Sequence, residues 1–273
     1  MSTLSLGMMV YLGQEPEKDF AAVREIGLAS CQLANWAPMA VTREMAERAR
    51  AAAADAGVTI SLYWCGYSGE VVWDYRRGPS TIGLVPPATR AQRTAELKRG
   101  AEIAHWLGVA DLATHVGFLP VDAQDADYQG TVAALKEIVA HCAAQGGTFN
   151  FETGQETPIV LLRCLQDIGL PNVGINLDPA NLLMYGNGNP LDALDIFGRY
   201  VRGVHAKDGE YPMEGYSLGE ERPLGAGRVN FPALLGKLKT LGYCGPLTIE
   251  REISGARQIA DIKQAMEVLA PLL

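Results

Sequence analysis

What most narrows the folding of this 273-residue chain is a repeated alternation between a short β-branched or apolar run and a longer stretch of helical period. Such alternation marks successive βα units, because a strand buried on both faces needs a covering helix before the next parallel strand can pair. Eight units are present. The predicted strands are residues 4–12, 30–35, 59–64, 110–115, 148–152, 173–178, 201–205 and 247–250. Helical periods over 18–26, 43–56, 91–107, 132–144, 159–168, 191–198, 232–241 and 259–272 lie between and after them. Six of these stretches run into a glycine (Gly27, Gly57, Gly108, Gly146, Gly169 and Gly242), the residue that closes a helix in the left-handed conformation.

Eight units within this length favour a closed barrel over an open sheet, so the expected fold class is α/β, a (β/α)8 TIM barrel. No Pro/Ser-rich linker or low-complexity tract divides the chain, and residues 1–273 are read as one domain. A dinucleotide-binding sheet would want G-x-G-x-x-G after its first strand, which is missing. Gly225-Ala226-Gly227 is too short for that role and reads as a tight turn before the seventh helix.

In a barrel, chemistry sits at the C-terminal ends of the strands. Strands five to eight end on Glu152, Asp178, His205 and Glu250, with gaps of 26, 27 and 45 residues, the last lengthened by the loop from Gly209 to Asn230. Each gap is roughly one βα unit, so the four side chains become neighbours on one rim. Any one of them alone reads as an ordinary strand-end polar group. Together, three carboxylates crowd charge that a cation must neutralise. Three oxygen donors and one imidazole suit one divalent ion, with Mn2+, Mg2+ or Co2+ favoured and Zn2+ compatible.

Composition narrows the partners. A formal charge of −8 and the absence of a Lys/Arg cluster with interleaved aromatics argue against nucleic acid and anionic membrane, which are held through many basic contacts. With 48% hydrophobic and 20% charged residues the chain can bury a large core. Its five cysteines are scattered and form no C-x-x-C, so they read as reduced thiols rather than a disulfide framework. The start, Met1-Ser2-Thr3-Leu4-Ser5-Leu6-Gly7, lacks the basic region of a signal peptide, and its apolar run meets Glu15, Glu17 and Lys18 too soon to span a bilayer. A cytoplasmic protein is the expectation, with a homo-oligomer left open.

The chain also resembles a known family, the xylose isomerase-like barrels, which are sugar phosphate isomerases/epimerases and include ketohexose 3-epimerases and inosose dehydratases. The residues that carry the resemblance are Glu152-Thr153-Gly154-Gln155-Glu156, Asn176-Leu177-Asp178-Pro179-Ala180-Asn181, His205-Ala206-Lys207-Asp208, Pro223-Leu224-Gly225-Ala226-Gly227 and Thr248-Ile249-Glu250-Arg251-Glu252. The resemblance implies that Glu152, Asp178, His205 and Glu250 bind one metal and that Glu152 and Glu250 are the catalytic acid/base pair. It also chooses Glu250 over Glu252, which shares its face by the strand period. The implied activity is isomerisation or epimerisation of a small sugar or cyclitol by α-proton abstraction through an enediolate. The alternative is a lyase or dehydratase acting on an inosose or keto-sugar at the same site. Two departures bear on the substrate: Asn181 stands where ketohexose epimerases carry a substrate-binding histidine, and Glu156 lies closer to strand five than its counterpart.

Further substrate-binding candidates follow from position. His115 ends strand four and either meets a substrate hydroxyl or a metal ligand, or is a satisfied core imidazole. Lys207 shares a face with His205 and either polarises a substrate oxygen or pairs with Asp208 or Glu250. Trp36 and Trp64 follow or end strands two and three and offer flat walls to a sugar's C–H face, or fill the core. An apurinic-site nuclease of the endonuclease IV type would need a histidine-rich three-zinc cluster, and only four histidines are present, with His105 and His141 in predicted helices. A non-catalytic sugar-binding subunit would not need a carboxylate on each side of its ligand.

Overall fold

A computed structural model describes residues 4–273, so Met1-Ser2-Thr3, the start of the leader reading, lies outside the described residues. The eight apolar runs become eight parallel strands: β1 (Leu6–Tyr11), β2 (Ser30–Asn35), β3 (Thr59–Cys65), β4 (Asp111–Thr114), β5 (Thr148–Glu152), β6 (Val173–Leu177), β7 (Val201–Ala206) and β8 (Leu247–Ile249). Each pairs with its neighbours in sequence. β8 then returns to β1, with Leu6 opposite Leu247 and Met8 opposite Ile249, and the barrel closes.

Eight main helices cover it: α1 (Pro16–Ile26), α2 (Arg43–Ala56), α3 (Pro87–Leu107), α4 (Ala126–Ala144), α5 (Pro158–Ile168), α6 (Pro190–Phe197), α7 (Phe231–Thr240) and α8 (Ala256–Leu269). Four of them begin on proline, earlier than the apolar period predicts. The first turn has no intrahelical partner for its N–H groups, so proline loses nothing there and its fixed φ suits the helix. α4 starts six residues before its apolar period, capped by Asp125, whose side chain accepts from the Asp127 N–H. All six helix-closing glycines have positive φ, between 66° and 99°.

Strand period divides the interior into two layers. Phe149, Phe151, Ile175, Leu177, Val204, Leu247 and Ile249 point outward and pack under the helices in the main core. Inside the barrel, Ala34, Leu62, Trp64 and Ala113 form a separate small cluster with Met9. That plug belongs to β1–β4. On β5–β8 the alternate positions are polar and buried: Asn150, Glu152, Asn176, His205 and Thr248. The lumen is therefore apolar on one half and polar on the other, and the polar half faces the loops of the C-terminal rim.

Besides single 3₁₀ turns at Pro38–Ala40, Gly198–Tyr200 and Ala270–Leu272, three short elements were not anticipated. One helical turn, Gly78–Thr81, lies in the β3–α3 connection, and the helix Pro179–Met184 follows β6 directly. An antiparallel ribbon pairs Asp208–Gly209 with Glu221–Arg222 in the β7–α7 connection. All three are too short to show a period. Among the described residues no helix is long and apolar enough to cross a membrane.

Candidate metal centre

The register carries the four strand-end residues to one place. Glu152 is the last residue of β5 and pairs with Asn176 of β6; Asp178 stands two positions beyond Asn176, on the same face. His205 is the penultimate residue of β7 and pairs with Thr248 of β8, and Glu250 stands two positions beyond Thr248. Asp178 and Glu250 thus lie just past their strands rather than within them. Asp178 caps the helix Pro179–Met184: its Oδ1 accepts the Asn181 N–H at 2.8 Å, which leaves Oδ2 for another partner. One ligand atom from each of Glu152, Asp178, His205 and Glu250 lies within 4.8 Å of all the others.

Three of those atoms, Asp178 Oδ2, His205 Nδ1 and Glu250 Oε2, are buried without a hydrogen-bond partner. Buried polar atoms are almost always satisfied, and these three have only ion-pair contacts with one another, with Glu152 and with Lys207, an arrangement suited to a cation that they could jointly hold. His205 Nδ1 lies 3.0 Å from Glu250, 3.3 Å from Glu152 and 3.6 Å from Asp178. The donor set, three carboxylates and one imidazole nitrogen, fits a divalent cation.

Behind the ring, a buried amide pair fixes its orientation. His205 Nε2 lies 2.8 Å from Gln32 Oε1 and 3.0 Å from Asn176 Nδ2; the oxygen can only accept, so the Gln32 contact puts the proton on Nε2, and the Gln32 and Asn176 side chains bond each other at 2.9 and 3.2 Å. With the proton held on Nε2, the Nδ1 lone pair is turned toward the carboxylates. Gly203 makes room for the pair, since a Cβ there would sit 2.3 Å from Asn176 Oδ1. Burial opposes a charge on the imidazole, but Glu250 and Glu152 overcome it and hold its pKa well above the usual value. Without a cation, a proton therefore competes for Nδ1.

The carboxylates are held by cationic and N–H neighbours. Burial pushes the Glu152 carboxyl up, yet His115 and His205 outweigh it and leave its pKa below the ordinary value. Its Oε2 accepts from Trp64 Nε1, while Oε1 lies 3.4 Å from His115 Nε2. Burial likewise pushes Glu250 up, and Lys207 with His205 overcomes it, keeping the group well below the usual carboxylate range. The Lys207 ammonium, 1% exposed, lies 3.3 Å from Glu250, 3.2 Å from Glu252 and 3.5 Å from Asp178. Burial would strip its charge, but these acids raise its pKa instead. It pairs with Glu250 and not with Asp208, whose two oxygens accept the N–H groups of Gly209, Gly225, Gly227 and Val229 at 2.9 to 3.0 Å. Asp208 thereby knots the β7–α7 loop, and the Gly225-Ala226-Gly227 segment is part of that turn.

A cavity of about 520 Å³ opens over the cluster, lined by Trp36, Trp64, Trp73, His115, Glu152 and Glu250 among others. Trp36 and Trp64 lie 4.9 Å apart between ring centroids, and Trp73 lies 5.1 Å from His115. Trp73 was not foreseen, because it sits in the irregular β3–α3 connection. Arg93 of α3 holds that connection, its buried guanidinium donating to the carbonyls of Ser68, Glu70, Thr81 and Gly83 at 2.7 to 3.3 Å. The Tyr67 ring packs against the same guanidinium at 4.3 Å.

Of the remaining candidates, Asn181 lines a smaller side chamber with Trp73 and His115. Glu156 is 4% exposed, its two oxygens lack partners, and it belongs to the walls of neither space. Gln32 and Asn176 were missed, although a polar residue inside an otherwise apolar strand was a signal for both. An external groove of about 970 Å³ between α3 and α4 contains none of these residues.

A solved structure of a xylose isomerase domain protein from Planctomyces limnophilus is 36% identical, with a TM-score of 0.90 over 98% of this chain and 97% of that one. A D-psicose 3-epimerase crystallised in the presence of D-fructose shares the fold at 15% identity, with a TM-score of 0.73 over 99% of each chain. An uncharacterised protein of Methanocaldococcus jannaschii is 33% identical over 118 residues, 43% of this chain and 37% of that protein, so the match spans little more than a third of the relative's length. The family model for the xylose isomerase-like TIM barrel matches residues 20–272, nearly the whole barrel, and the chain belongs to that family.

Proposed function

We propose that this protein is a divalent-metal-dependent isomerase or epimerase of a small polyhydroxylated ketone, a sugar or cyclitol, working by proton transfer at the carbon beside the carbonyl. The observation that carries this reading is the convergence of Glu152 and Glu250, three strands apart on the rim, onto the same buried point beneath the 520 Å³ cavity. Bound there, a divalent cation would supply stabilisation of the negative charge that develops on substrate oxygens. Mn2+, Mg2+ and Co2+ match the oxygen-rich donor set best.

The chain's own groups do the rest. One of the two glutamates takes the α-proton as general base, leaving an enediolate, and either the same or the opposite glutamate returns it. Trp64 holds Glu152 through Oε2, which leaves Oε1 as the oxygen turned toward the site. Lys207 keeps a positive charge beside Glu250 and is placed to favour an anionic oxygen nearby. Trp36, Trp64 and Trp73 cover the C–H faces of the substrate and limit access of water.

Incubating the Mn2+-loaded protein with a panel of ketoses, aldoses and inososes in D2O tests the reading. Carbon-bound deuterium in recovered sugar or product is the expected result, read by NMR and mass spectrometry. Metal-loaded protein that exchanges no member of the panel overturns the proposal. Loss of water from the labelled sugar would instead assign the site to a lyase, which starts with the same proton abstraction.

A further inference from the structure

The main cavity has a side chamber of about 110 Å³, sharing Trp73, His115 and Glu252 with it. Gln155, Asn181 and Tyr185 supply the remaining polar wall. Gln155 comes from the loop after β5, and Tyr185 closes the short helix after β6. Both are 4% exposed, and the Gln155 amide nitrogen, its oxygen and the Tyr185 hydroxyl are all without hydrogen-bond partners. Burial pushes the Tyr185 hydroxyl pKa up and the Gln155 amide lies close enough to restrain it, but no well-formed bond joins them, so the pair presents an edge of underused donors and acceptors to a ligand that can satisfy them.

The two elements are held face to face. Thr153 Oγ1 donates to the Asp178 carbonyl and accepts the Asp178 N–H, both at 2.8 Å, and Asn187 Nδ2 donates to the Gly154 carbonyl at 3.0 Å. Gly154 keeps the approach open, because a Cβ there would lie 3.3 Å from Asn181 Cβ and 3.5 Å from the Tyr185 ring. The wall also joins the acidic cluster, through Lys207 Nζ at 3.4 Å from Asn181 Oδ1. An occupant of the chamber is therefore adjacent to the cluster and to the proton-transfer residues.

Size and charge limit that occupant. At roughly 30 Å³ per liquid water, a space of this size takes about three to four waters, or a one- to two-carbon hydroxylated fragment in their place. No lysine or arginine lines it, its only carboxylate is Glu252, and its one imidazole, His115, already faces Glu152 at 3.4 Å, so a phosphate would meet a negative wall with no uncommitted cationic donor. We infer that the chamber is a substrate subsite in which Gln155 and Tyr185 read an uncharged hydroxylated arm, so that the protein selects free polyols over phosphorylated sugars. This rests on the proton-transfer reading above for the identity of the main site.

Binding, rather than turnover, tests it. The Mn2+-loaded full chain is titrated with D-fructose, D-tagatose and D-fructose 6-phosphate, followed by calorimetry and by the fluorescence of the tryptophan wall. The same titrations are run on Gln155→Leu and Tyr185→Phe, which keep volume and lose polar atoms. At least one free sugar is expected to bind about 10-fold or more tightly than the phosphate ester, and each variant to weaken it roughly 5- to 30-fold. Metal stoichiometry is expected to stay at the wild-type level in both variants, which reports an intact fold, and the two changes lie on separate elements. Tighter binding of the phosphate ester, unchanged affinity in both variants, or no binding of either free sugar overturns the subsite. Deuterium exchange in the same samples separates the two proposals. Binding that responds to both variants without exchange removes the proton-transfer reading and keeps the subsite, whereas exchange with unaltered variant affinities does the reverse.

Discussion

In the proposed function Glu152 and Glu250 each combine two roles, ligand and proton carrier, and an amide separates them. Gln still offers an oxygen to a cation but cannot accept a proton. Glu152→Gln and Glu250→Gln are each expected to lower turnover by about 10²- to 10⁴-fold with metal in excess, while the fold and part of the metal affinity survive. Near wild-type turnover in either variant would make that residue a ligand only and move the proton transfer to the other glutamate or to Lys207. Glu156 shows the opposite condition, a carboxyl without partners. Burial, with Glu152 adding to it, pushes its pKa from 4.5 up to about 8. The folded form thus holds its proton more tightly than the unfolded form. The associated stability is full below about pH 4.5 and is lost as pH rises to about 8, at up to roughly 1.4 kcal/mol per pH unit. Glu156→Gln keeps the neutral shape, so urea unfolding across this window is expected to show a flatter profile and a more stable protein at its upper end.

At the scale of elements, the β3–α3 connection needs an explanation, because it is irregular yet carries Trp73 into the cavity wall. Its order comes from α3. Arg93 is 1% exposed and has no carboxylate partner among the described residues, so the loop's own carbonyls and the Tyr67 ring stabilise its charge. Glu96, one turn further on, accepts the Ser68 N–H at 2.9 Å and fixes the loop's first residues. Arg93→Met would leave several buried carbonyls unpaired. It is expected to lower stability by about 3 kcal/mol or more and to shift the tryptophan fluorescence, measured by denaturant titration with emission spectra. A variant with unchanged stability and spectrum would show that the loop orders itself. Helix starts teach a related lesson: proline at the first turn marks α1, α3, α5 and α6 more accurately than the apolar period does.

For the molecule as a whole, the division of the lumen matters most. One half is sealed by Ala34, Leu62, Trp64 and Ala113, and the other concentrates three carboxylates, an imidazole and an ammonium on four adjacent strands. A cation that binds only the folded chain should stabilise it, by about 2.7 kcal/mol at a hundredfold excess over Kd. Melting curves with and without Mn2+ after chelator treatment are expected to show a rise of several degrees in wild type, and none in Asp178→Ala or His205→Ala. An equal rise in the variants would place the stabilising ion elsewhere.

The eight βα units, the helix-closing glycines and the strand ends that carry Glu152, Asp178, His205 and Glu250 are all legible in the amino-acid sequence alone. Those features are local: a period of two or 3.6, a glycine that tolerates positive φ, and an acid or imidazole at the end of an apolar run are visible within a few residues. Even the grouping of the four was legible, because gaps of about one βα unit translate into neighbouring strands. The tertiary structure alone decided what each side chain touches. Gln32 reaches His205 and Asn176 across 173 and 144 residues of chain, and Trp64 reaches Glu152 across 88. Barrel closure, which brings β2 and β3 across the lumen from β5–β8, makes those contacts, and no local pattern encodes them. The same closure set Trp73 and Tyr185 around one space and left Glu156 outside it, since loop residues follow the packing of the elements they join rather than any period of their own.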